Sequence, residues 1–106
     1  MKGRLEVFYS GSWGTVCDDL FDDESATVVC NELGADEGWF IQPNPFGDGW
    51  GEIWLDDVQC TGQEDRLIDC PANDWGVNNC GHYEDVAISC IQGSLSIDHL
   101  FCYKMH

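Results

Sequence analysis

Basic residues are nearly absent: Lys2, Arg4, Arg66 and Lys104 stand against 20 Asp and Glu, for a formal net charge of −16. With no basic patch, the chain has nothing to draw in nucleic acid, heparin or an anionic lipid surface directly, so charge excludes those partners. No long apolar run occurs, and direct insertion of a helix into a membrane is not expected. There is no Asn-x-Ser/Thr sequon, so standard N-glycosylation is not expected either. The cysteines include no Cys-x-x-Cys pair, whereas structural zinc sites usually bring their ligands in such close pairs. An apolar leader is also missing: Met1 to Arg4 lead straight into an alternating pattern, as expected of a processed chain or a segment of a longer one.

What is present is a single domain's worth of chain, 106 residues, 43% of them hydrophobic, which is a globular composition in spite of the charge. Seven cysteines, at positions 17, 30, 60, 70, 80, 90 and 102, point to a disulfide framework and so to a compartment outside the reducing cytosol. Spacing alone does not name the pairs, and the odd cysteine must be free or joined to another molecule. Self-repulsion at −16 opposes a compact fold. Crosslinks and bound cations are two ways to offset it.

Leu5, Val7 and Tyr9 alternate with Glu6, Phe8 and Ser10, Gly11-Ser12 reads as a turn, and residues 4–17 are predicted as a hairpin. Asp22 or Asp23 can cap a helix over about 23–33, with Ala26, Val29, Cys30 and Leu33 on one face and Gly34 at its end. Residues 35–52, rich in Gly, Pro, Asn and aromatics, read as a long loop. Ile53–Val58 reads as a strand, Glu64–Cys70 as a short helical segment, residues 73–83 as a loop, and Glu84–Cys90 as a buried strand. Beyond Cys90, Ser94 to Asp98 alternate and Leu100 to Tyr103 are apolar, marking 91–106 as a tail suited to strand addition or to linking.

Ordered blocks along the chain then carry a resemblance. They are Gly14-Thr15-Val16-Cys17-Asp18-Asp19, Val28-Val29-Cys30-Asn31-Glu32-Leu33-Gly34, and Ile53-Trp54-Leu55-Asp56-Asp57-Val58-Gln59-Cys60. Gly62-x-Glu64 with Leu67 and Cys70 follows, then Trp75-Gly76, Cys80, His82, Glu84-Asp85 and Cys90. The chain resembles a scavenger receptor cysteine-rich domain of the six-cysteine, group A type. The resemblance implies an α+β fold in which a curved, mainly antiparallel sheet cradles one helix. The domain would occupy 1–90 without the short strand that usually precedes it. Its implied bridges are Cys17–Cys80, Cys30–Cys90 and Cys60–Cys70, which leaves Cys102 free or intermolecular.

The same resemblance implies a non-catalytic extracellular binding module that holds Ca²⁺ or Mg²⁺ on acidic clusters. Residue by residue, one site would use Asp18, Asp19 and Glu84, and a second Asp56, Asp57 and Asn79. All are hard oxygen donors, as such cations require. A protein or glycan ligand would be bridged by the cation. Trp39 and Trp50, in the loop, are candidate ligand contacts because sugar rings stack on exposed indoles, whereas Trp13, Trp54 and Trp75 fall inside the shared blocks and read as structural. His82 reads as a structural hydrogen-bonder, since no nucleophile, base and orienting group come together in sequence. The alternative function is a structural one: a subunit of an extracellular polymer or matrix, a homo-oligomer assembling through the tail and Cys102.

Overall fold

The computed structural model describes residues 2–91 with their side chains, and the backbone pairing of 92, 95–96 and 103–104. In chain order the elements are β1 (Lys2–Arg4), β2 (Glu6–Tyr9), β3 (Ser12–Val16), α1 (Asp23–Glu32), β4 (Glu37–Ile41), β5 (Glu52–Leu55), β6 (Ala87–Gln92), β7 (Leu95–Ser96) and β8 (Tyr103–Lys104). Single 3₁₀ turns lie at Leu67–Asp69 and His82–Glu84.

The strands divide into two sheets, ordered β1-β6-β4 (with β7 also on β6) and β5-β3-β2-β8. The first is antiparallel throughout, whereas in the second β3 takes β5 in parallel and β2 takes β8 in parallel. The hairpin expected over 4–17 is β2–β3; Arg4 lies in β1, and the chain crosses between sheets at Leu5, whose amide donates to the Val86 carbonyl at 2.9 Å. A second crossing knits Cys17 and Asp18 to the segment before β6: Val86 N reaches Val16 O at 2.8 Å and Asp18 N reaches Glu84 O at 2.9 Å. Between the layers pack Leu5, Val7, Val16, Val28, Val29, Leu67 and Ile88.

The helix forms as expected. Asp22 caps it, its carboxylate accepting from Ser25 N at 2.9 Å, and Gly34 leaves it at φ +92, a left-handed turn that glycine adopts without strain. The long loop expected over 35–52 is interrupted by β4, which pairs with β6 from Glu37 to Ile41. Its other edge is covered by α1: Thr27 Oγ1 donates to Gly38 O at 3.0 Å, and Phe40 N donates to Asp23 Oδ1 at 2.8 Å. A strand with glycine at its centre has little intrinsic preference for the state. Here the glycine is required, because a Cβ at Gly38 would sit on Cys30 Sγ and 2.9 Å from the Ala26 carbonyl oxygen. The strand expected over 53–58 starts at Glu52 and stops at Leu55, and the last strand starts at Ala87 instead of Glu84.

The three bridges are Cys17–Cys80, Cys30–Cys90 and Cys60–Cys70, as expected. Of the tail, β7 pairs with β6 and β8 with β2, both strands of the same chain. Cys102 lies outside the described residues, as do Ser94, Ile97, Asp98, Leu100 and Phe101.

Candidate functional site

Three stretches of chain meet at one rim. Asp18 and Asp19 follow β3 where it leaves its sheet, Asp56 and Asp57 follow β5 beside it, and Asn79 and Glu84 flank the Cys17–Cys80 bridge. The parallel β3–β5 pairing, with Cys17 N donating to Leu55 O at 2.9 Å, sets the first two acidic pairs side by side. The bridge lies beneath them: Cys80 Sγ is 3.7 Å from Asp19 Oδ2 and Cys17 Sγ is 4.0 Å from Glu84 Oε2. A disulfide sulfur has no proton to give and is a poor ligand for a hard cation, so it acts as the frame and not as a donor.

Two separate sites were expected from the sequence, yet the structure joins them. Asp19 stands close to Glu84 on one side and to Asp56 and Asp57 on the other, with ligand atoms in each group within 4.8 Å of one another. The Asn79 amide nitrogen, turned toward the carboxylates, lies 3.2 Å from Asp19 Oδ2 and 3.3 Å from Asp56 Oδ2. Asp18 is at the periphery and belongs to neither tight group, although its charge is felt by its neighbours. Asp56 is only 1% exposed and accepts from Asp57 N at 2.8 Å. Asp57, at φ +56, accepts from Asn73 Nδ2 at 3.0 Å.

The electrostatics are those of crowded anions. Burial and then the Glu84 and Asp19 charges push the Asp18 carboxyl up, and burial followed by Asp56, Glu84 and Asp57 does the same for Asp19. Neither arginine answers them: Arg4 pairs with Glu6 and Arg66 with Asp69, each at 3.3 Å. A carboxyl with a raised folded pKa contributes stability below its unfolded value, near 4, and loses it as pH rises through the folded value. At neutral pH the ionised Asp18 and Asp19 therefore each weigh against the fold. A third grouping, Glu64 with the Cys60–Cys70 bridge, differs: backbone amides of Thr61 and Gly62 hold that carboxyl below its usual range, and it serves as a turn cap.

The two tryptophans singled out as ligand contacts are placed apart from this rim. Trp39 sits on β4, beside Asp23, Glu24 and Glu37, and Trp50 stands on the loop before β5, 88% exposed. Sequence reasoning missed the partner of His82, the buried Asp85, although the two are spaced like neighbours on one turn. His82 Nδ1 is 3.0 Å from Asp85 Oδ2, and Nε2 is 3.0 Å from the Gly51 carbonyl oxygen. Burial disfavours the imidazolium, but the Gly51 carbonyl, Asp85 and Asp48 outweigh it and raise the pKa. That contribution is full below about 6.5 and is lost as pH rises through the raised folded value. The stability difference between wild type and His82→Gln is expected to be largest in mild acid and to shrink steadily above neutrality in thermal melts. A difference independent of pH would remove His82 from this role.

A small module stapled by three bridges, with an acidic rim held on the longest of them, is the class these features define, and such a domain is extracellular. Residues 1–91 match the family described as the scavenger receptor cysteine-rich domain, and the chain belongs to that family. It is 49% identical over 89 residues to the macrophage receptor MARCO of Mesocricetus auratus, covering 84% of this chain and 18% of that receptor. The chain thus spans under a fifth of that receptor's length. Among solved structures, the mouse MARCO domain of this family, in its dimeric form, aligns with a TM-score of 0.79 at 47% identity, covering 85% of this chain and 86% of the other. The third such domain of murine neurotrypsin aligns at 0.76 and 44% identity, covering 84% of each.

Proposed function

We propose that this domain is a ligand-binding module whose ligand contact depends on a divalent cation, Ca²⁺ or Mg²⁺, held on the acidic rim. The observation that carries the reading is Asp19: one carboxylate shared by two acidic groups, raised in pKa by burial and then by its like-charged neighbours, and countered by neither arginine. Asp19 and Glu84, with Asp18 at the periphery, would hold one ion, and Asp56 and Asp57 a second, toward which the Asn79 amide would turn its oxygen in place of its nitrogen. A bound cation supplies open coordination positions for oxygen donors of an anionic or hydroxylated ligand, a glycan or a surface protein. The chain's own part is to preset the donors. The Cys17–Cys80 bridge and the β3–β5 pairing fix them before any ion arrives, so little ordering cost falls on binding.

The reading of an extracellular building block joined through the tail and Cys102 draws support from the dimeric form of the mouse relative alone. In this chain the described parts of the tail pair with their own domain.

Heparin is a suitable anionic probe, because a chain at −16 repels it unless a cation bridges the two. The domain is expected to be retained on a heparin column in millimolar Ca²⁺ and to elute when EDTA is added. Retention in EDTA, or passage through the column in both buffers, would overturn the proposal.

A further inference from the structure

Trp50 is 88% exposed, yet the backbone on both sides of it is fastened to the core. Gly49 N donates to Asp85 Oδ2 at 2.7 Å, and the Gly51 carbonyl meets His82 Nε2 at 3.0 Å. Further back in the same loop, Arg4 Nη1 reaches the Phe46 and Gly47 carbonyls, each at 3.3 Å, and Asn44 Nδ2 reaches the Asp85 carbonyl at 3.1 Å. Gly49 is there by necessity, since a Cβ would come within 2.7 Å of Asp85 Oδ2 and of Thr15 Cγ2. One exposed tryptophan alone would need no explanation, but Trp50 lies beside a second solvent-reaching indole, Trp13, and contiguous apolar surface of this kind marks binding sites.

Trp50 forms one wall of a cleft of about 560 Å³ whose other walls include Trp13, Arg4, Glu6 and Glu52. Trp13 is itself 43% exposed and is held edge-on against Phe8, with ring centroids 5.3 Å apart. The volume is that of a small-molecule site. Its polar groups are mixed in kind: Arg4 and Glu6 neutralise each other at 3.3 Å, and Glu52 and the Ser12 hydroxyl add hydrogen-bonding capacity at the rim. An anionic ligand would meet the Glu52 carboxylate, which the Arg4–Glu6 pair leaves uncompensated, and that one carboxylate is all the cleft offers a cation. Two solvent-reaching indoles beside carboxylate and hydroxyl acceptors suit an uncharged, hydroxylated ring, whose C–H face lies on tryptophan while its hydroxyls donate to the carboxylates. We infer that the Trp13–Trp50 cleft is a binding site for uncharged oligosaccharide, separate from the acidic rim and independent of the divalent cation.

The test follows the indole N–H resonances of isotope-labelled protein in EDTA while mannotriose, maltotriose, cellotriose and chitotriose are added in turn. At least one is expected to move the Trp13 and Trp50 signals saturably, leaving Trp54 and Trp75 in place. Trp50→Ala, which alters an exposed side chain and keeps the fold, is expected to weaken that binding about tenfold or more, and Trp39→Ala to leave it unchanged. Glu52→Gln is expected to weaken it by a smaller factor. The inference is overturned if none of the four sugars moves these signals; a hexa-arginine peptide that then does so would make the cleft a seat for a basic segment. It is equally overturned if sugar binding needs Ca²⁺, which would place the ligand on the acidic rim, or if Trp50→Ala binds as the wild type does.

Discussion

Replacing Cys30 and Cys90 together by alanine is expected to destabilise the domain by roughly 2–5 kcal/mol and to leave much of it unfolded at physiological temperature. The bridge spans 60 residues and ties α1 to β6, and both sulfurs lie in the core. Closing a loop of that length restricts the unfolded chain by roughly 4–5 kcal/mol on the chain-entropy model. Truncating both side chains also opens space where Gly38 now approaches Cys30 closely. A domain of this size has about 5–15 kcal/mol in total, and this one carries the self-repulsion of its net charge as well. The paired replacement of Cys60 and Cys70, 10 residues apart, is expected to cost less, about 3 kcal/mol on the same model. Urea denaturation of the two double variants gives the comparison. A loss for the Cys30–Cys90 pair no greater than for the Cys60–Cys70 pair would mean that the long bridge does not hold helix to sheet.

How far the chain could be read in advance depended on whether a feature is local or made by tertiary contact. The helix was legible because cap, apolar spacing and terminal glycine all lie within Asp22–Gly34. The β2–β3 hairpin was legible for the same reason, although its turn falls on Ser10 and Gly11, one residue before the expected Gly11-Ser12, because those two take positive φ and Ser12 already pairs with Tyr9. β4 was not, since Gly38 and the surrounding Gly, Pro and Asn speak for a loop, and only pairing with β6 and the side chains of α1 make a strand there. The division into two sheets was hidden likewise, because Leu5 reads as an ordinary strand residue until its amide is seen to meet Val86. At the candidate site, the acidic residues proposed as donors could be named from the shared sequence blocks, but the place of Asp19 between the two groups could not. Asp19 and Asp56 are far apart in sequence, and only the parallel pairing of β3 with β5 makes them neighbours. Nor does the sequence tell Trp39 from Trp50; exposure and the fastening of the Trp50 loop do.

Ca²⁺ is expected to stabilise the wild-type domain strongly, and Asp19→Asn to abolish most of that response. An ion that binds the folded state alone stabilises by about 2.7 kcal/mol when its free concentration is about a hundred times Kd. For extracellular sites with Kd of roughly 0.1–1 mM, about 10 mM Ca²⁺ therefore contributes roughly 1.4–2.7 kcal/mol per site. Losing Asp19 removes a donor from both acidic groups at once. The same change has the opposite sign without the ion: the Asp19 carboxylate is crowded by Asp56, Glu84 and Asp57, so its neutralisation relieves repulsion. Asp65, which lies outside both groups, is the control for general screening. The deciding measurement is the melting temperature of wild type, Asp19→Asn and Asp65→Asn, each in EDTA and in millimolar Ca²⁺. The expected result is a large Ca²⁺ shift in wild type and Asp65→Asn and little in Asp19→Asn, with Asp19→Asn melting at or above the wild type in EDTA. Equal shifts in all three proteins would contradict a shared cation site at Asp19 and would leave only diffuse screening of the −16 charge.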